Sequence, residues 1–183
     1  QGIGDELRFA NCFEDLSKKL KIQCFIETDA RLIPLFSRSF PKLSFIKKLE
    51  RKVDGHVIVN YTETVEKLRA AAHCPLGDLP LHFRQSINHF NFNDAYLVPD
   101  EKEQEHWRKL FQQIGAELKI GFCWQTALPS KTYDNYFPDL DELAPIFSLK
   151  NATFINLQYT DCEQQLQAAE NDFNINIFRP PNI

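Results

Sequence analysis

The chain has 183 residues, a formal net charge of −4, and 43% hydrophobic against 25% charged residues, a composition suited to a globular protein. Lys and Arg are dispersed among Asp and Glu, which leaves no basic stripe for nucleic acid, and no apolar run nears the roughly eighteen residues of a membrane span. Cys12, Cys24, Cys74, Cys123 and Cys162 are odd in number, widely spaced and without a Cys-X-X-Cys pair, so the chain reads as soluble and cytoplasmic, with buried free thiols and no metal. There is no Met beside sixteen Phe, and together with the glycine-rich start this predicts an excerpt of a longer polypeptide.

The chain opens on Gln1-Gly2-Ile3-Gly4-Asp5-Glu6. A Gly-X-Gly turn at Gly2 and Gly4 permits close approach of backbone to ligand, and Asp5 is expected to cap a helix beginning with Leu7. Leu7, Ala10, Phe13, Leu16 and Leu20 give that helix its apolar stripe, and Lys18, Lys19 and Lys21 suit its carboxyl end. A buried strand is expected over Ile22–Glu27, then a helix from Ala30, capped by Asp29 and ending at Phe40-Pro41. Further strands are expected at Leu43–Ile46 and Val57–Tyr61, followed by a helix over Thr62–Ala72 and a turn-rich loop over His73–Pro80. A helix-like run from Leu79 to Phe90 and a strand at Ala95–Val98 close a first domain, residues 1–99.

A polar helix from Asp100 to about Ile114, with Trp107, Leu110 and Phe111 on one side, forms a connector over residues 100–117. A second α/β pattern occupies residues 118–183. It comprises strand Lys119–Trp124, a polar loop to about Pro138, helix Leu140–Phe147, strand Thr153–Gln158, a helix from Asp161 and a last strand at Ile175–Phe178. Alternating strands and helices with short connections predict doubly wound sheets, and three strands with two helices make an incomplete domain.

Several segments together carry a resemblance: Gln1–Glu6, Asp29–Pro41, Leu76-Gly77-Asp78-Leu79-Pro80, Ile120–Gln125 and Phe154–Tyr159. In that order and spacing the chain resembles the glycosyltransferase-like region of bacterial proteins with tetratricopeptide repeats upstream, related to the ADP-heptose lipopolysaccharide heptosyltransferases (family 9-like). The resemblance implies an α/β fold of GT-B type, two Rossmann-like doubly wound domains, the first lacking its leading strand and the second truncated. Acceptor contacts are expected largely on the first and a nucleotide sugar on the second. Implied partners are a nucleotide-sugar donor and a glycan, lipid-linked or protein acceptor, with upstream repeats, and no metal or other cofactor. In the family the loop after the Trp reads Arg-Ser-Gly; here it reads Gln125-Thr126-Ala127, with Lys131 the nearest cation.

Transfer of a sugar with inversion needs a base for the acceptor hydroxyl and stabilisation of the departing diphosphate. The resemblance puts the proposed catalytic aspartate at Asp5, whose bland alternative is a structural helix cap. Gly2, Gly4 and Glu6 are expected to help hold the acceptor, although Glu6 also suits the positive end of the helix dipole. Gln125 and Thr126 are expected to donate to a diphosphate that Lys131 helps to neutralise, the alternative being a solvated loop. Arg31 and Arg38 stand two helical turns apart and suit pairing with local carboxylates, His73, His82 and His89 lack metal-ligand spacing, and Trp107 and Trp124 fit apolar patterns. The rival from another class is a non-catalytic module of the same fold beside a repeat array. A nicotinamide-binding reading has Glu27 at its acidic position but Leu7 where a third glycine belongs.

Overall fold

The computed structural model describes residues 2–54, 56–59, 61–90, 95–115, 118–126 and 137–181. The chain divides into two compact units, Gln1–Gln104 and Glu105–Ile183. The fold is mixed α/β with parallel sheets, compatible with a Rossmann-like arrangement.

The first unit starts on a nearly continuous helical run. Helix α1 (Ile3–Phe9) passes through a 3-10 turn, Ala10–Cys12, into α2 (Phe13–Lys19). The helix begins at Ile3, four residues before the expected Leu7, because the apolar stripe itself begins there: Ile3 and Leu7 both pack against the core. Strand β1 (Phe25–Thr28) runs parallel to β2 (Ser44–Lys47), with α3 (Ile33–Ser39) as the crossover. Phe13 of α2, Phe36 of α3, Phe40 at the end of α3 and Phe45 of β2 meet at ring centroids 5.2–6.5 Å apart. Edge-to-face pairs such as Phe13–Phe36 and Phe13–Phe40 each add about 0.5–1.5 kcal/mol beyond area burial. The abundance of Phe is therefore a packing device.

The expected strand at Val57–Tyr61 is not a member of this sheet. Strand β3 (Glu50–Val53) pairs antiparallel with β4 (His56–Val59) in a hairpin of its own. Asp54-Gly55 is the two-residue turn signal, and Asp54 takes the left-handed conformation, φ 50°, that such a turn requires. The last two residues of that expected strand differ in standing: Asn60 lies outside the described residues and Tyr61 precedes α4 (Thr62–Leu68), which ends at a left-handed Arg69. A 3-10 turn, Leu76–Asp78, leads into α5 (Leu79–Phe83), whose Leu79 and Phe83 enter the core. The expected strand Ala95–Val98 is irregular. Side chains replace a strand partner there: Val98 N–H donates to Ser39 Oγ at 2.9 Å, Arg38 Nε donates to the Val98 carbonyl at 2.9 Å, and Tyr96 OH donates to the Leu7 carbonyl at 3.0 Å.

Helix α6 (Glu101–Gln113) follows, started by Asp100, whose carboxylate accepts from the Lys102 N–H. In the second unit β5 (Leu118–Phe122), β6 (Ala152–Asn156) and β7 (Ile177–Phe178) form a parallel sheet in that order. Helix α7 (Ala144–Phe147) continues a 3-10 turn over Leu140–Leu143, where Asp139 N–H donates to the Glu142 carboxylate. Helix α8 (Glu163–Phe173) ends at Asn174, φ 50°, one of the few residue types that adopt this conformation readily. Phe122, Phe147 and Phe154 pack edge to face over Leu166 and Ala169. Among the described residues no helix is long and apolar enough to cross a membrane.

Candidate functional site

Parallel strands expose their functional side chains beyond their carboxyl ends, because the crossover returns the chain there at the start of each helix. In the first unit this end is made of charged groups. Gly2 is the cap of α1, with extended backbone (φ −85°, ψ 174°), and its carbonyl accepts from the Asp5 and Glu6 amides at 3.1 and 3.2 Å. Asp5 is thus a residue of the first helical turn and not the cap. Its carboxylate accepts the Gly2 N–H at 3.2 Å, which is half of a capping box, since glycine has no side chain to return the bond. A Cβ at Gly2 or Gly4 would meet nothing within 4 Å, and neither has a left-handed φ, so the expected tight turn is replaced by ordinary helix-start backbone.

Glu6, expected to help hold an acceptor or to complement the helix dipole, is instead turned inward. It is 1% exposed. Its carboxylate accepts from Thr28 Oγ1 and from the Asp29 N–H at 3.0 Å, and it pairs with Lys48 Nζ. Thr28 is the last residue of β1 and fully buried, and Lys48 follows β2, its amide extending the ladder by donating to the Thr28 carbonyl at 3.1 Å. A buried carboxylate is tolerable only when so surrounded, because an isolated charge there would lose its hydration without return. Next to it Asp29 receives Arg31 Nε at 2.9 Å, Nη2 at 2.8 Å and the Arg31 N–H at 2.9 Å. The Arg31 guanidinium holds the Asp29 carboxyl far below the usual carboxylate range, and Lys48 adds to the effect. Asp5 itself is exposed. Both oxygens of Glu27, on β1, are shielded from solvent and have no hydrogen-bond partner among the described residues.

The corresponding end of the second unit is built from neutral amides and hydroxyls. Gln158, 3% exposed and just beyond β6, accepts through Oε1 from the Trp124 and Gln125 amides at 3.3 and 3.2 Å. Its Nε2 donates to Thr160 Oγ1 at 2.9 Å, and its own N–H donates to Asn156 Oδ1 at 2.9 Å. Gln125 Nε2 joins the same network, reaching Thr160 Oγ1 at 3.2 Å and Gln165 Oε1 at 3.5 Å. Thr126 follows, half-buried, while Gln1, Ala127 and Lys131 lie outside the described residues. Arg179, beyond β7, grips Glu170 (Nη2 to Oε2, 2.8 Å) and Glu163 (Nε to Oε2, 2.9 Å) and depresses both carboxyl pKa values.

At these two strand ends the sequence reading named Asp5, Glu6, Gln125 and Thr126, and it gave no site role to Thr28, Lys48 or Gln158. For Gln158 a signal exists: Asn156, Gln158 and Thr160 alternate at the exit of an apolar strand, so all three project to one side. Arg31 and Arg38 pair with the carboxylates of Asp29 and Asp100. Trp124 is 4% exposed and stacks on Phe122 at 5.6 Å, which makes it core. Cys12 and Cys162 are buried, and burial pushes both thiols up. Among the described residues no three His, Cys, Asp or Glu side chains gather to hold a metal ion.

The chain is similar to Protein FlbA of Caulobacter vibrioides. The two are 28% identical over 187 residues, which takes in 100% of this chain and 31% of that protein, so the chain spans about a third of the length of the curated relative it matches. No protein-family model matches the chain, and no solved structure does.

Proposed function

We propose that this chain is part of an inverting glycosyltransferase of GT-B architecture, related to the heptosyltransferases, that moves a sugar from a nucleotide-activated donor to an acceptor hydroxyl. The observation that carries the reading is the exposed carboxylate of Asp5, standing where parallel strands end and oriented by the Gly2 N–H, while its neighbour Glu6 is buried and paired. A base must be reachable by the acceptor, and of these two adjacent carboxylates Asp5 alone is exposed. Asp5 then accepts the hydroxyl proton as the oxygen attacks the anomeric carbon, and the bond to the nucleoside diphosphate breaks. The sequence after β5 carries Gln125, Thr126 and Lys131, residue types whose chemistry suits binding of a diphosphate. The acceptor is a glycan, a lipid-linked or a protein hydroxyl, and upstream tetratricopeptide repeats would present it.

One observation favours a non-catalytic binding module instead: Asp5 and Gln125 both have intramolecular partners, so each is also explained as structure. The separating experiment is transfer of radiolabelled sugar by the full-length protein and its Asp5→Asn variant. Loss of about 100-fold or more in kcat with unchanged circular dichroism supports the base. An unaltered rate removes Asp5 from the chemistry. A wild type that neither transfers nor binds any nucleotide sugar points to the module.

A further inference from the structure

We infer that Glu6 is a positioning residue that fixes the amino turn of α1, and with it Asp5, to the carboxyl ends of β1 and β2. Its consequence for rate rests on the glycosyl-transfer reading; its geometric half does not. Helix α1 continues into α2, and Ile3 and Leu7 seat one side of it on the core, but its first turn is exposed at Gly2, Gly4 and Asp5. Apolar packing is non-directional and leaves small slides and rotations of that turn open to a carboxylate on it. Glu6 prevents this because its three partners come from separate places: a side-chain hydroxyl at the end of β1, a backbone amide just beyond it, and an ammonium beyond β2. Three contacts that are not in line fix both the place and the rotation of the turn.

The arrangement also divides the work between neighbours. Residues 5 and 6 are both carboxylates, yet the helix turns them about 100° apart, so one enters the sheet end while the other faces solvent. Lys48 neutralises the buried member and leaves the exposed member as the one that meets a substrate. On this basis Glu6 touches no reacting atom and acts through Asp5.

The test uses the full-length protein with Glu6→Ala, the isosteric Thr28→Val, and Phe36→Leu as a core variant of matched thermal destabilisation. Hydrogen exchange at the amides of Asp5, residue 6 and Asp29 is expected to rise by about tenfold in Glu6→Ala and severalfold at the first two in Thr28→Val, while the amides of Phe36 and Phe40 stay unchanged. If Glu6→Ala does not fold, Thr28→Val decides. A uniform rise across the first unit, or none at the start of α1, overturns the clamp. In the transfer assay Glu6→Ala and Thr28→Val should lower kcat with acceptor KM unaltered, whereas Phe36→Leu keeps its kcat. Equal kcat loss in Phe36→Leu, or unaltered kcat in the other two, overturns the action through Asp5. A wild type with the local exchange pattern but no transfer from any nucleotide sugar keeps the clamp and removes the glycosyl-transfer reading.

Discussion

The two units close the carboxyl ends of their parallel strands with opposite chemistry. In the first, the Glu6 carboxylate is buried against Lys48, Thr28 and the Asp29 amide; in the second, the Gln158 amide is buried against two backbone amides and a hydroxyl. Both side chains lie within a few per cent of full burial, and both tie a loop after one strand to a neighbouring segment. The difference lies in what happens when a partner is lost. A buried charge without its counter-charge is far costlier than an amide short of one hydrogen bond, so the first unit is stiff and brittle at this point while the second is more forgiving.

Removal of Lys48 is the strongest way to break the comparison. Lys48→Met leaves Glu6 buried and unpaired, and should cost about 3–5 kcal/mol in urea unfolding followed by circular dichroism. Adding Glu6→Gln should return most of that loss, because the buried charge is then gone. If Lys48→Met is silent, Glu6 is not held as a charge and the contrast fails. Gln158→Leu comes next, at about 1–3 kcal/mol, because the buried Trp124 amide is left without an acceptor while the part-buried Gln125 amide can turn to water. Trp107 and Trp124 both belong to the second unit, so tryptophan fluorescence reports on it separately. The loss should appear in that signal and be the same at pH 7 and pH 4, since the network holds only amides, hydroxyls and the Cys162 thiol, whose pKa burial pushes up.

The smallest effect is that of acid on the partly exposed ion pairs. Arg31 depresses the Asp29 carboxyl, and Arg179 depresses Glu163 and Glu170, all below their unfolded values. Such groups contribute stability that is fully present above the unfolded pKa and fades as pH falls through the folded one. Thermal midpoints should therefore be level from pH 7 to about 5 and decline below about pH 4.3. Arg31→Gln should flatten part of that decline in the first unit, and Arg179→Gln in the second. A decline that begins above pH 5 would mean that some other group controls it.

How far the sequence led can be judged residue by residue. The apolar runs around Ile26, Phe45, Ile120 and Phe154 marked strands, and each proved to be one, within a few residues. The run at Ala95–Val98 looked the same locally yet forms no strand, because Ser39 and Arg38 take its polar groups and Leu97 alone reaches the core. Val57 misled in another way: it is in a strand, but Asp54-Gly55 folds it back on Glu50–Val53 before it can join β1 and β2. The Asp54-Gly55 dipeptide is the local signal for that hairpin, and a reading of apolar runs alone passes over it.

The sequence by itself determined the strands around Ile26, Phe45, Ile120 and Phe154, the aromatic content of the two cores and the acidic start of α1, since these follow from periodicity and composition within a dozen residues. Tertiary structure alone decided which acidic residue is buried. Glu6 meets partners 22 and 42 positions away, and Gln158 meets an amide 34 positions back. No local pattern encodes such pairings, because a polar side chain selects its partner only after packing has brought distant strand ends together and removed the water between them.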